Sequence, residues 1–330
     1  MRIEAFSEGK YLDDPEANED QFLILPGRGF AVIDGVTDIS GRMVEGMRTG
    51  RLASRIVQRA VAEFLCDPVG TESRPEALIE CVSAALQAAY VHHDIIDEVR
   101  NHPERRFGAT LTVAIDLGSS FRFILVGDSG LRLNGSEKMV IDEGLDLVTA
   151  TLRQEAYRAV AEAGGDVDAQ RRVSRLCSFH GAAELHADMA PWLDVASLRT
   201  LHARSVDSAR NRFPSAPVAD IVHLVDHGIS GQTRFQNNTT SPFSYSVFDG
   251  FEIPMSLVGV IDRPRDSLRS IELYTDGYFK AGGAPDLAAW EAAFLEVERI
   301  DPEKIAAYPS VKGSTARLRT DDRTVVIVRF

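Results

Sequence analysis

Residues 19–35 read EDQFLILPGRGFAVIDG, two short apolar runs on either side of Pro26-Gly27-Arg28-Gly29 with acids at both outer ends. Short runs split by Pro and Gly predict a β-hairpin: strand 22–25, turn, strand 30–33. Centring that hairpin on residues 27 and 28 pairs Asp20 with Gly35 and Gln21 with Asp34. Glu19 and Asp20 then begin one strand beside the point where Asp34 ends the next. A second hairpin is expected where TLTVAIDL (110–117) and FRFILVGDS (121–129) flank the small-residue turn Gly118-Ser119-Ser120, which sets Thr110 opposite Gly127.

Around these hairpins the texture alternates. Residues 41–65 and 76–99 carry long Ala, Leu, Ile and Val patterns interleaved with Arg and Glu, predicting two amphipathic helices. The stretch 145–212 is rich in Ala, Arg and Glu and reads as a helical insertion, and 213–256 as loops and short strands. Strand patterns return at SIELYTDG (270–277) and RTVVIVRF (323–330), with a helical stretch at 285–299 between them. Strands, then helices, then strands indicate an α+β layered fold in one domain spanning 1–330.

The later strands repeat the acidic placement. Asp276 closes the strand 271–275, while Asp321 and Asp322 open the strand 324–329, so antiparallel pairing would bring them to a common end. Carboxylates packed without cations repel and raise one another's pKa. Divalent ions remove that cost, and all-oxygen donors select Mg²⁺ or Mn²⁺ over zinc. Two such ions about 3.5–4 Å apart form a hydrolytic template. The alternative is that Asp-Gly after a strand is only a turn signal, as at Asp249-Gly250.

Composition narrows the partners. A net charge of −13 over 330 residues argues against non-specific binding to nucleic acid or anionic lipid. Cys66, Cys81 and Cys177 form no CxxC pair, which fits a reducing compartment and speaks against a thiolate zinc site. The polar start MRIEAFSEGKYLDDPEANED lacks the apolar core of a signal peptide, and no run nears the roughly 18 apolar residues of a membrane span. The expectation is a cytoplasmic protein without nucleic-acid or membrane partners. His223 and His227 have the spacing of helical zinc ligands but no HExxH glutamate, and His92-His93-Asp94 and His180…His186 have no partner that sequence can name. The Arg-rich stretch 152–175 alternates with Glu and Ala, as a solvated helix face does.

Taken in order, the same residues resemble the motif series of the 2C-type, metal-dependent (PPM) serine/threonine phosphatases. Asn18-Glu19-Asp20 is similar to the family's NED, and Phe30-Ala31-Val32-Ile33-Asp34-Gly35-Val36 to its FAVxDGM. Gly108-Ala109-Thr110 resembles GTT, Val126-Gly127-Asp128-Ser129 matches VGDS, Tyr274-Thr275-Asp276-Gly277 resembles the SDG segment, and Asp321 to Val328 resembles DNxTxxVV. The matches run from 18 to 328 and leave 145–250 largely uncovered.

The resemblance implies an αββα sandwich of two antiparallel sheets flanked by helices, with a centre of two or three Mn²⁺ or Mg²⁺ ions at one end. It implies that Asp34 bridges the metals, that the Gly35 carbonyl, Asp276 and Asp321 are ligands, and that Glu19 and Asp20 act through bound waters. The attacking group would be a metal-bound water held by Asp34 and Asp276, with no protein nucleophile. Asp128 would be structural, at the site floor.

Three positions depart from the pattern. Pro15 stands where the family places a phosphate-gripping Arg, for which Arg42 is the candidate substitute. Ile39 stands where relatives carry a His credited as general acid, beside Asp38, which is either an extra ligand or an acid at the start of a helix near Ser40. Asp322 replaces an Asn. The extra segment falls where relatives carry a flap, and would shape substrate choice, dock a protein partner or merely decorate. The expected activity is hydrolysis of phosphoserine or phosphothreonine in proteins. The rivals are a catalytically weak or silent binding module of the same fold and a phosphatase of a small phosphorylated metabolite.

Overall fold

The structure, a computed structural model, describes residues 1–37, 41–67, 74–141 and 144–330. In chain order its elements are β1 (Arg2–Glu8), β2 (Gln21–Leu25), β3 (Gly29–Gly35), β4 (Met43–Val44), β5 (Met47–Arg48), α1 (Thr49–Cys66), α2 (Pro75–His92) and α3 (Ile96–Asn101). There follow β6 (Ala109–Asp116), β7 (Ser120–Val126), β8 (Gly130–Leu133), β9 (Glu137–Met139), α4 (Leu145–Glu162), α5 (Val167–His180), α6 (Val195–Arg212) and α7 (Val218–His227). The chain ends with β10 (Gly259–Pro264), β11 (Ser270–Tyr274), α8 (Leu287–Ile300) and β12 (Arg323–Arg329).

The chain divides into two compact units, one of Met1–Asp142, Tyr245–Glu296 and Arg317–Phe330, the other of Glu143–Ser244 and Val297–Ala316. The first unit holds both large sheets, ordered β1-β12-β11-β8-β9 and β10-β7-β6-β3-β2, antiparallel throughout. The central strand β3 is buried on both faces, which explains why its FAVI run is continuous rather than alternating. Phe30 and Val32 of β3 face inward with Phe121 and Phe123 of β7, Leu273 of β11 and Val326 of β12, forming the core between the sheets. Ala31 and Ile33, one residue out of phase, pack under Val57 and Val61 of α1 and Leu86 and Tyr90 of α2. On the opposite outer face, Trp290 and Phe294 of α8 cover Tyr274, Val325 and Ile327. Helix, sheet, sheet, helix is the αββα layering the motif series implied. Each such side chain, fully buried, contributes about 1.5–3 kcal/mol of transfer free energy.

The second unit is helical. Asp166 and Asp194 cap α5 and α6, accepting from the Ala169 and Ser197 amides at 2.8 and 2.7 Å. Within it Arg153 is buried and donates to the carbonyls of Glu303, Lys304 and Ser310. Among the described residues no helix is long and apolar enough to cross a membrane.

Three local expectations change, and one strand is new. The first hairpin pairs Gln21 with Ile33 and Leu25 with Gly29, one residue off the expected register. The Arg28 amide closes a turn onto the Leu25 carbonyl with Gly27 at φ +77°, so Pro26 and Gly27 take the central positions of a type II turn and the loop has three residues. Residues 43–48 are not helical. Glu45 and Gly46 both have positive φ and make the two-residue turn of a small hairpin, β4 to β5. Residues 218–227, expected as loop or short strand, are helix α7, with Ile221, Leu224 and Val225 buried at helical spacing. Finally, the N-terminal segment supplies a strand, β1, paired along its length with β12.

Candidate functional site

Strand pairing delivers the acids to one place. One step beyond the Gln21–Ile33 pair, Asp20 lies opposite Asp34. One and two steps beyond the Tyr274–Val325 pair, Thr275 faces Thr324 and Asp276 faces Arg323, with Asp322 and Asp321 just past them. Thr275 joins the ends of the two sheets: its hydroxyl donates to Asp20 Oδ2 at 2.8 Å and accepts from the Thr324 amide at 2.9 Å. Asp34 in turn feels the charges of Asp20, Asp276, Asp321 and Asp128. The structure therefore brings together Glu19, Asp20, Asp34, Asp276, Asp321 and Asp322, with Asp128 near enough to act on Asp34.

At the floor, Gly35 at the end of β3 meets Gly50 in the first turn of α1. A Cβ on Gly35 would overlap the Gly50 carbonyl, and one on Gly50 would sit 2.6 Å from both Glu19 Oε1 and the Val36 carbonyl. Only a glycine pair lets the helix approach this closely. The second hairpin pairs Leu111 with Val126, which places Thr110 across from Gly127 as the sequence indicated. Thr110 Oγ1 hydrogen-bonds Ser129 Oγ at 2.9 Å, and Thr112 Oγ1 donates to the Ser129 carbonyl.

Sequence reasoning missed Lys10. Its side chain is 4% exposed, and its Nζ lies 2.9 Å from Glu19 Oε2, 2.9 Å from Thr37 Oγ1, 3.2 Å from Asp321 Oδ1 and 3.1 Å from Asp322 Oδ2. Burial alone would lower its pKa, but Asp321, Asp322 and Glu19 outweigh that and hold the ammonium charged. Its backbone is fixed too: the Lys10 amide donates to Asp322 Oδ1 at 2.6 Å, its carbonyl accepts from Arg319, and the next residue, Tyr11, bridges to Leu318. Asp322, the acid standing where the motif has Asn, thus ties down the segment before β2, also accepting from the Glu19 amide. The available signal was composition, since arginine supplies nearly all the positive charge of this chain and lysine is rare.

Arg42 is engaged elsewhere, with Nη1 and Nη2 at 3.2 and 3.4 Å from the carboxylate of Glu98 on α3. Pro15 opens a short 3-10 turn, Pro15–Ala17. Asp38, Ile39 and Ser40 lie outside the described residues. His223 Nε2 donates to the Gly231 carbonyl at 3.0 Å, and its ring lies tilted against that of His227.

The donor set fits a hard cation. Glu19 Oε1 and Asp20 Oδ1 are buried and have no hydrogen-bond partner, although buried carboxylate oxygens normally have one. Asp20 and Asp34 are held well above the ordinary carboxylate range, first by burial and then by neighbouring acids; Asp322 is raised by burial despite Lys10. An acid whose folded pKa is raised binds more protons in the folded than in the unfolded state, so ionising it costs stability. The metal-free protein should therefore become more stable as pH falls from about 8 to about 5, and millimolar Mn²⁺ should flatten or invert that slope. Urea midpoints in chelator across this range check it. A midpoint that rises with pH would mean the acids do not repel.

Fold and site define a two-sheet αββα sandwich with a carboxylate cluster where β3, β11 and β12 reach one end. Among solved structures the chain is similar to the Mycobacterium tuberculosis serine/threonine phosphatase PstP/Ppp, at 16% identity over 100% of this chain and 98% of that one, with a TM-score of 0.46. It is similar to the catalytic domain of PstP in complex with two manganese ions (18%, 99% and 96%, TM-score 0.45) and to Stp1 of Staphylococcus aureus (10%, 100% and 95%, TM-score 0.44). No family model and no curated protein matches the chain. At such distances the chemistry has to come from the chain's own residues.

Proposed function

We propose that this chain is a divalent-cation-dependent phosphatase that hydrolyses phosphate monoesters, with phosphoserine and phosphothreonine in proteins as its substrate class. The observation that carries this reading is the convergence of Asp20, Asp34, Asp276 and Asp321 from both sheets, with buried oxygens of Glu19 and Asp20 lacking any donor. All-oxygen donors suit Mn²⁺ or Mg²⁺. When bound, the cation supplies an activated water and offsets charge on the phosphoryl oxygens. Asp34, the Gly35 carbonyl, Asp276 and Asp321 would hold it, and Glu19 and Asp20 would accept hydrogen bonds from its waters.

The chain's own contribution is rigidity. Asp34 is fixed by β3, which is paired on both sides, with β2 and with β6. Thr275 turns Asp20 toward the cluster, and the Gly35–Gly50 contact fixes the carbonyl. Held acids of this kind cost no reorganisation when cation and substrate arrive. A silent module of the same fold is favoured by one observation, the Lys10 ammonium already neutralising part of the cluster.

Hydrolysis of p-nitrophenyl phosphate with Mn²⁺, with and without chelator, separates the two. A chelator-sensitive rate supports the phosphatase, and no rate above background leaves the silent module. A phosphopeptide panel run beside phosphorylated metabolites then tests the substrate class. Asp276→Asn should weaken Mn²⁺ binding about tenfold or more while leaving the far-UV spectrum unchanged. If that variant is unfolded even in high Mn²⁺, Asp276 is a structural residue instead.

A further inference from the structure

The Lys10 side chain occupies a place built for a cation. Three acidic oxygens and one hydroxyl lie 2.9–3.2 Å from Nζ, drawn from the segment before β2 (Glu19), the loop after β3 (Thr37) and the segment before β12 (Asp321 and Asp322). Thr37 also donates to Glu19 Oε2 at 2.7 Å, so the cage is internally bonded. The ammonium is too deeply buried to meet a substrate, which rules out the role of a phosphate-gripping cation. A lysine offers three donors from one compact point of charge, closer to a metal ion than an arginine fork would be.

The acids fall into two groups around it. Glu19, Asp321 and Asp322 each give an oxygen to Lys10. Asp20 is held instead by Thr275, and the strongest charges acting on Asp34 are those of other acids. We infer that the Lys10 ammonium is a resident cation on the Glu19–Asp321–Asp322 side, standing in the place of one divalent ion, so that this chain takes up a single divalent cation, on Asp34, the Gly35 carbonyl and Asp276, with Asp20 accepting from its waters. This rests on reading the cluster as a metal site, and it lowers by one the count of two ions implied by the motif series. A single ion still polarises a phosphoryl oxygen and activates a water. The Asp321 Oδ1 atom that accepts from Lys10 is then no ligand of that ion.

Counting bound Mn²⁺ by native mass spectrometry, with electron paramagnetic resonance on the same samples, tests the inference without recourse to activity. The unmodified protein should carry about one Mn²⁺ per chain with the signal of an isolated ion. Lys10→Met, neutral and of similar length, should carry about two, with the signal of an exchange-coupled pair. Two coupled ions on the unmodified protein would overturn the inference, as would a Lys10→Met count that stays at one. Should Lys10→Met fail to fold, the count on the unmodified protein decides alone: one isolated ion supports the inference and a coupled pair defeats it. No ion on either protein at millimolar Mn²⁺ defeats this inference and the phosphatase reading together. Uptake by Lys10→Met alone would defeat the inferred count of one and remove the phosphatase reading of the unmodified protein.

Discussion

Asp34→Asn is expected to lower Mn²⁺-dependent p-nitrophenyl phosphate hydrolysis by about three orders of magnitude, the rate equivalent of about 4 kcal/mol of lost charge stabilisation. The substitution keeps the shape of the side chain and removes only its charge. Asp34 is half-buried at the end of a doubly paired strand, so backbone adjustment cannot recover the ligand. The same change should raise the stability of the metal-free protein, because it removes the acid that feels four others, Asp20, Asp276, Asp321 and Asp128. Activity falling while the urea midpoint in chelator rises is a pairing that a damaged core would not give. Retention of more than about a tenth of the rate would remove Asp34 from the chemistry.

Gly35→Ala should have the opposite profile, destabilising the chain by about 3 kcal/mol in metal and in chelator alike. The new Cβ would overlap the Gly50 carbonyl and crowd the Glu19 carbonyl at 2.9 Å. These are backbone atoms of a helix and of the segment entering β2, and they have no rotamer to change. Relief requires α1 to lift from β3, opening the Val57 and Val61 contacts with Ala31 and Ile33. A urea midpoint within error of the unmodified protein would show that the helix gives way freely and that the glycine pair is not what sets its approach.

Much of this arrangement was legible in sequence because strand ends are easy to locate. Acids flanking short apolar runs gave Glu19, Asp20, Asp34, Asp276 and Asp321 their places, and even a hairpin register one residue off left Asp20 beside Asp34. The register slipped because Pro26-Gly27 can be centred in two ways, and only the positive φ of Gly27 chooses. Residues 43–48 passed for helix because their apolar content fits one, whereas Glu45-Gly46 acts as a turn. Lys10 was out of reach for a different reason. Nothing within ten residues of it announces Asp321 or Asp322, more than three hundred positions away, and β1 itself, RIEAFSE, is too thinly apolar to stand out.

The position of β12 in its sheet has a consequence for how the molecule is made. It lies between β1 and β11, and among the described residues β1 has no other strand neighbour. Until residues 323–329 have arrived and docked, the first strand has no partner for its backbone ladder, and Lys10, Asp321 and Asp322 cannot meet. Pairings this remote in the chain close late and slowly. The Lys10 ion pairs would accordingly mark completion, formed only when the strand that follows Asp321 and Asp322 takes its seat.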